Sequence, residues 1–259
     1  MNKSGLERSG RALLVVLLAL SGCTRKAKPD PGAGPRMLAY VRNLASDIGP
    51  RPAGSTAEAK ARQYILAAFR QAGLQSQEDP VDEVRLSDST DLVLHSANIV
   101  GVLEGKSPRS ILIGAHHDSR NTACPGASDD ASGVAVLLEA ARRLAATPHR
   151  HTLVFASFTG EETAGLPGSR EFLQGWKGPP FLAAITLDFV GTGKVFIAPF
   201  PRPPELWANR LLARAEHGAR TGKVSFDPWL VTVPRLLSIP YSSDHESFLE
   251  RGIPALNLS

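Results

Sequence analysis

Five places along the chain put carboxylates or imidazoles where they could act together: His116-His117-Asp118, Asp129-Asp130, Glu161-Glu162, Asp188 and Asp244-His245. Carboxylates gathered at such density repel one another, and they tolerate it when a divalent cation supplies positive charge. Mixed His, Asp and Glu donors suit zinc, whose bonds to imidazole and carboxylate are both about 2 Å long. Two adjacent glutamates cannot face a metal in the same way, so one can ligate while its neighbour takes a proton from water. Each cluster alone has a plainer reading. Glu161-Glu162 could be a solvated loop pair, Asp188 a loop carboxylate and His245 a helix cap, and Asp129-Asp130 could merely charge a helix N-terminus. Their joint occurrence on one rim of a sheet favours a shared site.

That rim follows from the elements between the clusters. Ile111-Leu112-Ile113-Gly114-Ala115 is apolar throughout, as in a strand buried on both faces. Strands are expected over 98–103, 110–115, 152–158, 182–189, 195–198 and 253–258, and helices over 36–48, 132–146, 167–173, 204–217 and 244–251. Residues 48–55 break the first helix. Ser55, with Glu58 three residues on, signals a capping box. The helix it opens has Ala61, Tyr64, Ile65, Ala68, Phe69 and Ala72 on one face and Gly73 at its end. Buried strands alternating with amphipathic helices mean an α/β fold, a three-layer α/β/α sandwich with a mostly parallel mixed sheet. Ligands in such folds bind outside the carboxyl ends of the strands, where His116, Glu161 and Asp188 fall.

The 259 residues carry a formal charge of +4 and a pI near 9.3. No basic block alternates with aromatics, so a solvated surface explains the charge and no nucleic-acid partner is expected. Lys3, Arg8 and Arg11 precede an apolar run over 12–20, too short to span a bilayer and laid out as a secretory signal. Leu20-Ser21-Gly22-Cys23 then resembles the bacterial lipobox, in which the Cys is acylated and becomes the mature N-terminus. An ordinary signal peptide with an incidental Cys is the alternative, and the small pair directly before Cys23 favours the lipobox. This gives a signal peptide over 1–23, a flexible tether over 24–35 and a domain over 36–259, exported and lipid-anchored to a bacterial membrane. Thr24 is not Asp, which points to the periplasmic side of the outer membrane in a cell that has one. With Cys23 lipidated, Cys124 lacks a disulfide partner.

His116-His117-Asp118, the stretch 125–133 around Asp129-Asp130, Gly160-Glu161-Glu162, the stretch 187–191 around Asp188 and the stretch 243–248 around Asp244-His245 stand in the order of the M28 family of zinc peptidases, which the chain resembles over residues 36–259. Residues 48–55 and 252–255 are also similar to that family. The resemblance implies a zinc-exopeptidase fold and two zinc ions. His116 and Asp188 would hold one ion, Glu162 and His245 the other, and Asp129 would bridge them. It makes Glu161 the general base on the attacking water, and has Asp118 orient His116. It implies a cis peptide after Asp129, and a peptide or protein N-terminus as substrate. His117, at the variable middle position, is not expected to ligate, and His95, His149, His151 and His217 are expected at the surface. The family usually continues through a further loop and packing helix, whereas this sequence stops at Ser259.

Two rivals stand beside the aminopeptidase reading. Glutaminyl cyclases share the fold and a similar constellation but bind a single zinc and form N-terminal pyroglutamate. Asp129-Asp130-Ala131-Ser132-Gly133 and the short loop between Asp118 and Asp129 look more like the peptidases. A non-catalytic metal- or peptide-binding lipoprotein is the other rival, and the intact Glu161 and ligand set argue against it.

Overall fold

The apolar run at 111–115 lies in a strand, Ser107–His116, that is buried on both faces at its carboxyl end, which explains why it carries no polar side chain. A computed structural model describes residues 30–85, 93–191 and 243–259. In chain order these form α1 (Ala33–Arg42), a π-helical segment (Asn43–Ile48), α2 (Thr56–Gln71), β1 (Gln75–Arg85), β2 (Val93–Leu103), β3 (Ser107–His116), α3 (Ala131–Leu144), β4 (His151–Phe158), α4 (Pro167–Gly175), β5 (Phe181–Leu187), α5 (His245–Glu250) and β6 (Ala255–Leu258).

The six-stranded sheet runs β1-β2-β4-β3-β5-β6. β3 pairs in parallel with β4 and β5, and β5 with β6. β2 is antiparallel to both β1 and β4. Alternating side chains of each central strand reach opposite faces. Ile113, Leu153, Phe155 and Ile185 pack with α1, α2 and α3, while Leu112, Val154, Ala156 and Ala184 pack with Phe172 of α4 and Phe248 of α5. Helices therefore cover both faces and the three layers stand as expected. The parallel centre aligns the carboxyl ends of β3, β4 and β5 on one edge.

Several boundaries differ from expectation. The first helix starts at Ala33, inside the stretch read as a tether, and its last six residues are π-helical. Asp30 holds it there by accepting from Arg36 Nη2 and Arg142 Nη2 at 2.5 and 3.0 Å. The segment expected to be a strand over 182–189 leaves the sheet at Leu187, because Phe189 turns left-handed at φ 61°. β1 was not expected at all. Its sequence is polar and contains Pro80, which an edge strand tolerates. The signal peptide with Cys23, the elements expected at 195–198 and 204–217, and His217 lie outside the described residues.

Candidate metal centre

β3 ends at His116, which delivers the imidazole to the carboxyl edge of the sheet. The next residue stays tied to β4, His117 N donating to Phe158 O at 2.9 Å. β4 ends at Phe158, and Gly160, at φ 73°, turns the chain so that Glu161 and Glu162 follow beside the His116 loop. β5 ends at Leu187, and Asp188 N donates to Leu258 O of β6 at 2.9 Å. The Asp129-Asp130 peptide is cis, as the resemblance implied. Asp130 caps α3, its Oδ1 accepting from Gly133 N at 2.8 Å and also from Phe189 N at 3.2 Å. One buried carboxylate thus ties the Asp129 loop to the Asp188 loop. Asp244 is the N-cap residue of α5 and His245 its first residue, both buried.

These elements converge on one imidazole nitrogen. His116 Nε2 lies 3.1 Å from Asp129 Oδ1, 3.7 Å from Asp188 Oδ1 and 4.0 Å from Glu161 Oε2. Glu162 and Asp129 shift each other's titration, and the charge of Asp188 acts on His245. Behind the imidazole, Asp118 Oδ1 lies 3.5 Å from His116 Nδ1. The same carboxylate accepts from Glu161 N and Glu162 N at 3.3 and 3.2 Å. Asp118 therefore faces His116 and also fixes the glutamate loop, a second task that the sequence did not disclose.

The electrostatics are those of a site short of positive charge. Burial alone would push His116 down, but Glu161, Asp118, Asp129 and Asp188 outweigh it and raise the imidazole well above its ordinary value. Burial, reinforced by Asp244, Asp188 and Asp118, pushes Glu161 up to about 9. Burial and Asp129 push Glu162 up to about 7, and burial brings Asp244 to about 7. His245 is pushed down to about 4, also by burial. The raised values of His116, Glu161, Glu162 and Asp244 favour their protonated forms, which is the response of crowded acidic groups that a divalent cation would relieve. Both ring nitrogens of the buried His116 lack a well-formed hydrogen bond. Among the described residues, His116, Glu161 and Asp188 offer ligand atoms all within 4.8 Å of one another. The donor set fits a zinc ion by type, burial and convergence.

Of the remaining histidines, His95 is exposed, and His149 and His151 are half-buried against Leu144 O and Ser107 Oγ. His117 is buried beneath the site beside Glu58 and Ser157. Arg51, to which its sequence setting assigns no role, and Glu58, which reads as a cap, are both fully buried under the same loops. The available signal is the setting of Arg51 between Pro50 and Pro52, within the stretch 48–55 that is similar to the family.

The family model of peptidase family M28 matches residues 98–259. Among curated relatives, a probable zinc metalloprotease of Pyrenophora tritici-repentis is 36% identical over 52% of this chain and 35% of its own length. Aminopeptidase YwaD of Bacillus subtilis is 32% identical over 62% of this chain and 35% of its own, and the probable lipoprotein aminopeptidase LpqL of Mycobacterium tuberculosis is 31% identical over 62% and 32%. The chain spans about a third of the length of these relatives. Among solved structures, a leucine aminopeptidase precursor from Bacteroides thetaiotaomicron superposes with a TM-score of 0.72 at 18% identity, covering 90% of this chain and 87% of that one. The Porphyromonas gingivalis glutaminyl cyclase superposes at 0.69 with 23% identity, covering 86% and 82%. Both likenesses speak to the fold.

Proposed function

The chain belongs to peptidase family M28, and we propose that it is a zinc-dependent aminopeptidase acting on the N-termini of peptides. The carrying observation is the convergence of Asp129, Asp188 and Glu161 on His116 Nε2 at 3.1, 3.7 and 4.0 Å. His116 and Asp188 would hold one zinc and Glu162 and His245 the other, with Asp129 serving both. When bound, zinc supplies Lewis acidity that brings the pKa of water near 7 and polarises a carbonyl.

The chain's own residues do the rest. Glu161 takes the proton from the attacking water and passes it to the leaving amine. Asp118 keeps His116 in one orientation and, through the amides of Glu161 and Glu162, keeps base and ligand in register. Restriction to the first residue requires a group that captures the free α-amine, and the surrounding carboxylates suit that charge. The names of YwaD and LpqL support an aminopeptidase.

The same site could cyclise N-terminal glutamine on one zinc. Zinc quantification on purified protein, run beside assays with aminoacyl amides and an N-terminal glutaminyl peptide, separates the two. Two ions and amide hydrolysis support the aminopeptidase, while one ion and pyroglutamate formation overturn it. We also propose that Cys23 is acylated and anchors the enzyme to a bacterial membrane, a reading that the lipoprotein name of LpqL supports. Loss of acyl-chain labelling in Cys23→Ser is the expected result, and unchanged labelling would contradict it.

A further inference from the structure

We propose that Arg51 and Glu58 are positioning residues, two buried charges that hold the three ligand-bearing loops in register. The inference rests on the metallopeptidase reading above. The loops are 116–118, 125–130 and 159–162, from different parts of the sequence, and a shared metal centre requires each to be fixed relative to the others. A misplacement of about 1 Å in such a centre is enough to cost on the order of a hundredfold in rate.

Arg51 binds two of these loops through backbone carbonyls. Its Nε donates to His117 O at 2.7 Å, Nη1 to Pro125 O at 2.6 Å and Nη2 to Gly126 O at 2.9 Å. Its main chain adds a reciprocal pair, Arg51 N to Ser119 Oγ at 2.9 Å and Ser119 N to Arg51 O at 3.2 Å. The planar fork of a guanidinium can serve several fixed acceptors at once, which an ammonium cannot. Gly126 leaves room for this, because a Cβ there would lie 2.5 Å from Asp129 O and 3.2 Å from Arg51 Nη2.

Glu58 binds the third loop and reaches back to the first. Its Oε1 accepts from Thr159 Oγ1 and, at 2.6 Å, from Ser96 Oγ, and it lies 3.3 Å from His117 Nε2. Its Oε2 accepts from Gly54 N at 2.6 Å. The capping box expected from Ser55 and Glu58 is therefore only half formed. Ser55 Oγ caps Glu58 N at 3.0 Å, but the carboxylate is committed elsewhere. A side chain needed only to start a helix would sit in solvent at its end. This one is fully buried, as is Arg51. Burying a full charge is unfavourable unless it is compensated, and the compensation here comes from the loops that carry His116, Asp129 and Glu161. Both residues precede residue 98, where the match to the family model begins.

The test uses the full domain loaded with cobalt(II), whose visible absorption reports ligand geometry, beside steady-state kinetics on an aminoacyl amide. Glu58→Gln and Arg51→Lys are expected to lower kcat about 10- to 100-fold and to alter the cobalt spectrum, while KM moves by less than about threefold. Leu66→Ala, a buried core change further along the same helix, is expected to lower the melting temperature while leaving kcat and the spectrum alone. If Arg51→Lys does not fold, Glu58→Gln and the milder Ser96→Ala carry the test. A wild-type chain that takes up no cobalt and hydrolyses nothing overturns the metallopeptidase reading and this inference with it. A wild-type chain that is active, with positioning variants that match it in kcat and spectrum, overturns the inference alone. So does a Leu66→Ala variant as impaired in kcat as they are.

Discussion

Replacing Glu161 by Gln removes the proposed base while preserving its shape. General-base catalysis contributes about 10²–10⁴-fold in rate, which at about 1.36 kcal/mol per factor of ten is roughly 3–5 kcal/mol of barrier. The stability cost should be small. In the metal-free chain, burial with Asp244, Asp188 and Asp118 raises Glu161 to about 9, so at pH 7 it is already a neutral acid. The amide therefore replaces one uncharged group by another of the same size. The difference emerges once a cation is bound, because positive charge restores the carboxylate and only the carboxylate can accept a proton. The assay is kcat on an aminoacyl amide, with zinc content and metal-free melting temperature measured on the same preparation. The expected outcome is a loss of two to four orders of magnitude in kcat, with zinc content and melting temperature close to wild type. A kcat within about threefold of wild type would refute the base assignment. A loss of zinc together with activity would move Glu161 into the ligand set, where its 4.0 Å approach to His116 also admits it.

Other perturbations reach different parts of the account. Asp118→Asn should weaken zinc binding or activity about 10- to 100-fold, because the carboxylate serves His116 Nδ1 and two loop amides together; zinc competition with a chelator measures it. The metal-free protein should lose stability as pH rises from about 6.5 to 9. Over that window the folded chain holds protons on Glu161 and His116 that the unfolded chain has released, while His245, whose folded value is about 4, acts only below 6.5. Thermal melts across the window test this, and added zinc, which displaces those protons, should flatten the slope. Phe155→Ala empties a fully buried position in the layer between the sheet and α2 and should cost about 3–5 kcal/mol in denaturant unfolding.

The sequence disclosed the site better than its support. His116, Glu161 and Asp188 were legible because each lies at or shortly after the carboxyl end of an apolar strand, and parallel neighbours in a sheet put their carboxyl ends together. β3 to β5 were legible for the same reason, being buried on both faces. β1 was not, because an edge strand needs few apolar residues and tolerates a proline such as Pro80. Arg51 and Glu58 were hidden more thoroughly. A lone arginine in a proline-rich connection and a glutamate three residues after a serine have ordinary surface and capping roles. Only the approach of residues 96, 117, 126 and 159, far away in sequence, turns them into buried charges. Asp118 shows the same limit, since its proximity to His116 is local but its bonds to the glutamate loop are tertiary.

The central claim is that side chains distant along the chain share bound zinc, and anomalous diffraction at the zinc absorption edge from crystals of the purified protein tests it most directly. The account predicts density about 2.0–2.2 Å from His116 Nε2 and a carboxylate oxygen of Asp188, with a second peak served by Glu162 and His245 and with Asp129 between them. Stoichiometric zinc elsewhere on the molecule, or none at these side chains in zinc-supplemented crystals, would contradict it.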